Sequence, residues 1–110
     1  MEHTCRIAIT GHSFISRLDS FVLRRCSTAQ GRLVSPDFWL QNVDIFFRGV
    51  PGCTIAKYYK TILPVLRCTK PNIVYLDLAH NDLCQRSQSP DKVARNLVCL
   101  ARYIYSIPSV

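Results

Sequence analysis

Three short segments of this 110-residue chain hold side chains and backbone able to attack and polarise a carbonyl. The first is Thr10-Gly11-His12-Ser13, the second Arg48-Gly49-Val50-Pro51-Gly52-Cys53-Thr54, and the third Ala79-His80-Asn81-Asp82-Leu83. Ser13 offers a hydroxyl nucleophile, Gly52 a backbone N–H with no side chain in its way, and Asn81 a carboxamide donor. A serine oxygen flanked by fixed donors is the layout of acyl transfer with an oxyanion hole. Each residue also has an ordinary role. Ser13 suits the N-cap of a helix, and Asn81-Asp82 are common in turns.

Every one of these segments follows a strand pattern. Cys5 to Thr10 is a short β-rich run that stops at Gly11, Val43 to Phe47 is a second strand, and Ile73 to Leu78 is the strongest in the chain. Amphipathic stretches lie between them. Phe14, Ile15, Leu18, Phe21 and Val22 recur at helical spacing, with Arg17, Asp19, Arg24 and Arg25 on the other face. Ser27 to Asp37 reads as a loop. A second helix starts at Thr54 with Ile55, Tyr58, Tyr59, Ile62 and Leu63 on one face, and Pro64 kinks it or ends it near Leu63. Polar residues from His80 to Ser89 read as a loop. Ser89-Pro90-Asp91 then opens a third helix, striped by Val93, Leu97, Leu100, Ala101 and Ile104 and stopped by Pro108.

The order β-α-β-α-β-α implies right-handed crossovers and a parallel sheet covered on both faces. Sites in such sheets sit beyond the carboxyl ends of the strands. All three segments fall there.

At this point the chain resembles a known family, the SGNH or GDSL-type hydrolases. Ile7-Ala8-Ile9-Thr10-Gly11-His12-Ser13-Phe14 is similar to its first block, a strand followed by G-D-S-[LF]. Phe47 to Thr54 is similar to the second block, R-G-x-x-G-x-T. Lys70 to Leu83 resembles the third, K-P-D-x-V-x-x-x-x-G-x-N-D, and Pro64 also fits. The resemblance implies a flavodoxin-like three-layer α/β/α sandwich with a parallel sheet. It also implies hydrolysis of a small ester or acyl substrate without metal or cofactor. Ser13 would be the nucleophile and, through its own N–H, an oxyanion donor; Gly52 and Asn81 would be the other two donors.

Departures from the family pattern are equally specific. His12 replaces the acidic residue of the first block, and Ala79 and His80 precede Asn81 where glycine or a small residue is preferred. The family's last block, D-x-x-H, supplies the acid and the base; the D-x-x-H spacing of Asp77 to His80 falls inside the third block, and none follows it between Cys84 and Val110. A serine without a base in reach is a poor nucleophile. His12 points away from its neighbour, His80 stands at the site edge, and His3 belongs to the other end of the sheet. The expectation is a single partial domain over residues 1–110, truncated to about three strands and three helices and inactive as an isolated chain. The alternative is a non-catalytic module on the same scaffold that contacts nucleic acid.

Charge supplies the motive for that alternative. Fourteen Lys+Arg against seven Asp+Glu give +7, with a pI near 9.4. Residues 1–55 hold six basic and four acidic residues and 56–110 hold eight and three, so the excess is scattered and forms no basic arm. No apolar run approaches the roughly 20 residues of a membrane helix. The six cysteines show no C-x-x-C pair, and Cys5, Cys68 and Cys99 read as reduced core thiols. With no secretory signal near Met1, the expected compartment is cytoplasmic or nuclear. Asp77 lies inside the strongest strand, where a buried carboxylate needs a partner. Phe38, Trp39, Phe46 and Phe47 read as core. Lys57, Tyr58, Tyr59 and Lys60 form either a basic aromatic surface or an ordinary packed helix face. Three parallel strands also leave open edges, so edge-strand self-association is expected.

Overall fold

A computed structural model describes the backbone of residues 4–27 and 42–110, and the side chains of 4–22 and 42–110. Strand β1 is Cys5–Gly11, β2 is Val43–Gly49 and β3 is Ile73–Asp77. They form one parallel sheet in the order β2-β1-β3, with Ala8 opposite both Phe46 and Val74. The first strand in sequence is therefore the central one.

Helix α1, Ser13–Ser27, packs on β1 and β2. Its apolar stripe buries Ile15 and Val22, while Phe14 stays half-exposed. On the opposite face lie α2 (Ile55–Thr61), α3 (Leu63–Thr69) and α5 (Pro90–Tyr105). Tyr58, Ile62, Leu66 and Leu100 are fully enclosed there with Ala8, and Phe46, Val74 and Leu76 pack against them. Burying one Leu or Ile side chain contributes about 1.5–3 kcal/mol, so this cluster is the main stabiliser of the sheet. The architecture is the expected three-layer α/β/α arrangement. Because α1 lies on β1 and β2, Ile73 and Tyr75 on β3 remain about half exposed, at 51% and 56%.

Several boundaries differ from expectation. The second helix ends at Thr61, before Pro64, and a new helix begins at Leu63 with Pro64 in its first turn. Proline is tolerated there because its missing N–H would have had no helical partner. Residues 80–83 wind into one helical turn, α4 (His80–Leu83), within the span expected to be loop. Ser27 belongs to α1. The rest of the expected loop, together with Phe38 and Trp39, lies outside the described residues.

The thiols also correct the sequence reading. Cys68 and Cys99 are exposed and Cys5 is half-buried, whereas Cys53 is fully enclosed. Cys68 and Cys99 sit among apolar neighbours in sequence, but on the outward faces of α3 and α5. In α5 the inward stripe is carried by Val93, Leu100 and Ile104, with Leu97 half-buried and Ala101 exposed. Of the aromatic pair in α2, Tyr58 is core and Tyr59 packs edge-on against Tyr103, with ring centroids 5.6 Å apart.

Candidate functional site at the carboxyl edge of the sheet

Three cross-links tie the ends of the strands together. The Val50 N–H donates to the Gly11 carbonyl at 3.0 Å, and the His12 N–H donates to the Asp77 carbonyl at 3.3 Å. Asn81 Nδ2 donates to the Cys53 carbonyl at 3.2 Å. The segments carrying Ser13, Gly52 and Asn81 are thus one connected edge.

Local chemistry explains each junction. A Cβ on Gly11 would stand 2.0 Å from the Asp77 carbonyl oxygen, so only glycine lets β1 pass β3 this closely. Gly52 has φ +67°, a left-handed conformation, and a Cβ there would meet nothing within 4 Å. Its surroundings are open. Ala79 takes φ 93° just before α4, a conformation that costs any side-chain-bearing residue free energy. That is the position where the family pattern has glycine.

Ser13 is the first residue of α1, so its capping role falls to its neighbour. His12 Nδ1 accepts from the Phe14 N–H at 3.3 Å, and the His12 carbonyl accepts from the Ile15 and Ser16 N–H groups at 3.1 and 3.4 Å. His12 Nε2 lies 3.4 Å from Asp77 Oδ2. Asp77 therefore has its partner, and is itself part-exposed. Both ring nitrogens of His12 are occupied, which leaves neither turned to the Ser13 hydroxyl. His80 is exposed, with its ring centroid 6.4 Å from that of His12.

Two polar anchors lie under this edge: Asp82, read from sequence only as a turn residue, and Thr10, given no role there. Asp82 is 8% exposed and both its carboxylate oxygens accept from the Ile55 N–H, at 3.3 and 3.1 Å. With Thr54, whose hydroxyl accepts from the Lys57 N–H at 3.2 Å, it holds the start of α2 beside Gly52. The clue was Asp82 directly after Asn81, aimed at a helix that starts with Thr54. The second anchor is Thr10, fully buried, whose hydroxyl lies 2.8 Å from the Tyr58 hydroxyl and donates to the Tyr75 carbonyl at 2.8 Å. Burial pushes the Tyr58 phenol up to about 12, against a smaller downward pull from the Thr10 hydrogen bond. Burial likewise raises the Cys53 thiol, Lys57 opposing and Asp82 adding, so Cys53 is an inert neighbour of Gly52 and no rival nucleophile. Among the described residues no group of three or more His, Cys, Asp or Glu could hold a metal ion, and no helix is long and apolar enough to cross a membrane.

A scan against protein-family models finds no match, and a search of curated proteins finds none either. Among solved structures the chain is similar to a catalytic mutant of Axe2, an acetylxylan esterase from Geobacillus stearothermophilus, with a TM-score of 0.62 and 10% identity. The match covers 99% of this chain and 58% of that one, so the chain spans little more than half the esterase's length. At this identity the likeness establishes the fold alone.

Proposed function

We propose that the carboxyl edge is the oxyanion half of an SGNH-type ester-hydrolysing site. Ser13 is its nucleophile, and the N–H groups of Ser13 and Gly52 and the Asn81 carboxamide are its donors. The observation that carries this reading is the Asn81 Nδ2 bond to the Cys53 carbonyl, which fixes the carboxamide beside Gly52 and leaves its second N–H unspent. The open space above Gly52 and the esterase fold likeness support it. The substrate class is a small ester or acyl group. The isolated chain is nearly inactive because His12 is committed to Phe14 and Asp77 and, among the described residues, no other imidazole is hydrogen-bonded to Ser13. Donors alone still accelerate acyl transfer, by far less than a complete unit.

Imidazole added to solution can stand in for the missing base. Turnover of p-nitrophenyl acetate, measured with and without imidazole, should show an increment in the wild-type chain that Ser13→Ala loses. A fluorophosphonate probe should label the same serine slowly. A well-folded chain with no Ser13-dependent increment and no labelling overturns the reading. It would leave the second one, a non-catalytic module, which the full engagement of His12 favours. Such a module would hold RNA or DNA with salt-sensitive, micromolar affinity through the +7 surface. In either case the half-exposed Ile73 and Tyr75 on the edge strand β3 support self-association through it, and the exposed thiols fit a reducing compartment, cytoplasm or nucleus.

A further inference from the structure

At the other end of the sheet, where the strands begin, a cavity of about 550 Å³ opens between the end of α3 and the turn that follows α5. Arg67, Lys70, Ser106, Ile107, Pro108 and Ser109 form its wall. No acidic side chain lines it, and among the described residues neither Arg67 nor Lys70 has an ion-pair partner. Two helices end nearby, each carrying about half a negative charge at its carbonyl end. Those ends are already served. Arg6 Nη1 donates to the Thr69 carbonyl at 2.9 Å, the Lys70 N–H to the Leu66 carbonyl at 2.9 Å, and the Ser106 hydroxyl to the Tyr103 carbonyl at 2.6 Å. Arg67 and Lys70 are thus the two full charges on the cavity wall.

One further observation points to a ligand. Ser109 Oγ is buried without a hydrogen-bond partner, and among the described residues no other side-chain polar atom is in that state. An unmet buried hydroxyl costs about 1–3 kcal/mol, so its place in the wall of a cationic cavity calls for a cause. The Ser109 carbonyl is pinned by Asn72 Nδ2 at 3.2 Å, which holds the residue in the cavity wall. Ile107, 7% exposed, and Pro108 give the same cavity an apolar side.

We propose that this cavity binds a small phosphorylated ligand with an apolar body, its phosphate taken by Arg67, Lys70 and Ser109 and its body laid on Ile107 and Pro108. Phosphate suits the two cations and the hydroxyl together, and the volume lies in the range of about 300–1,000 Å³ typical of small-molecule pockets. A nucleic-acid strand needs a track of several cations, and this concavity holds two.

The test is a ¹H–¹⁵N NMR titration of the 110-residue chain at low salt with inorganic phosphate and, separately, phenyl phosphate. Both should move the amides of Arg67, Lys70, Ser106, Ile107 and Ser109 saturably, phenyl phosphate at the lower concentration. The exposed double variant Arg67→Gln/Lys70→Gln should weaken binding about tenfold or more, and Ser109→Ala less, with the rest of the spectrum unchanged. Ser13→Ala should bind as the wild type does, whatever its effect on ester turnover. Absence of saturable shifts at these amides up to about 10 mM overturns the proposal. So do shifts indifferent to the double variant. If a short single-stranded RNA binds, the double variant abolishes it and phenyl phosphate does not compete, the cavity is a nucleic-acid contact and the small-ligand assignment is wrong.

Discussion

Raising the pH above 10 should destabilise this protein through one phenol, that of Tyr58. Its ring is fully enclosed, and its hydroxyl shares a hydrogen bond of 2.8 Å with that of Thr10. Burial first, with a small addition from Cys53 and an opposing one from the hydrogen bond, moves the phenol from 10.0 to about 12. The unfolded chain therefore releases this proton near the ordinary value while the folded chain keeps it. Across that window the folded state binds more protons, so stability falls as pH rises. Below the ordinary value nothing is lost. Two pKa units amount to about 3 kcal/mol, a large share of the stability of a domain this size. Tyr58→Phe removes the step and one hydrogen bond worth about 1 kcal/mol at neutral pH. The variant should be the weaker protein at pH ~8 and the stronger at pH ~11.5, the two curves crossing somewhat less than one unit above the ordinary phenol value. Urea unfolding followed by far-UV circular dichroism, with reductant present, measures both curves. Tyr59, also raised by burial, and the thiols act on both proteins alike and cancel in the difference. Curves that stay parallel to pH ~12 would refute the assignment of the alkaline loss to Tyr58.

Other substitutions report on the edge that carries the candidate site. Ala79→Gly relieves the left-handed strain at φ 93° and should raise stability by about 1 kcal/mol, seen as a melting temperature about 4–8 °C higher. Asp82→Ala leaves the buried Ile55 N–H unpaired and should cost about 2 kcal/mol or more in urea unfolding, more than Asp82→Asn, which keeps an acceptor oxygen. Tyr75→Lys places a charge on the exposed face of β3 and should reduce concentration-dependent association in sedimentation equilibrium; an unchanged mass would remove β3 as the associating edge.

Strand ends and the parallel sheet were legible in the sequence because buried parallel strands are short continuous apolar runs and each stops at a glycine or a polar turn. Gly11 and Gly49 end β1 and β2, and Asp77 ends β3. What could not be read locally is whatever depends on partners far along the chain. Cys68 and Cys99 look apolar in context, but helix phase turns them outward. Asp77 announces only that it needs a partner; that the partner is His12 follows from β1 lying beside β3. The same juxtaposition takes His12 out of contention as a base for Ser13, something no residue spacing reveals. Thr10 and Tyr58 carry no sequence signal as a pair, since a threonine in a strand and a tyrosine in a helix are each unremarkable until the sheet is assembled.

The order of the strands also bears on how the chain acquires its shape during synthesis. β1 is made first, yet its two neighbours come 38 and 66 residues later, as the registers Ile7 to Ile45 and Ile7 to Ile73 require. Its apolar Ile7, Ala8 and Ile9 therefore leave the ribosome long before anything exists to cover both sides of them. Pairings this distant in sequence form slowly. A nascent chain that has not yet reached Asp77 cannot close its sheet, and the strand at greatest risk of capture by a chaperone or by another chain is β1.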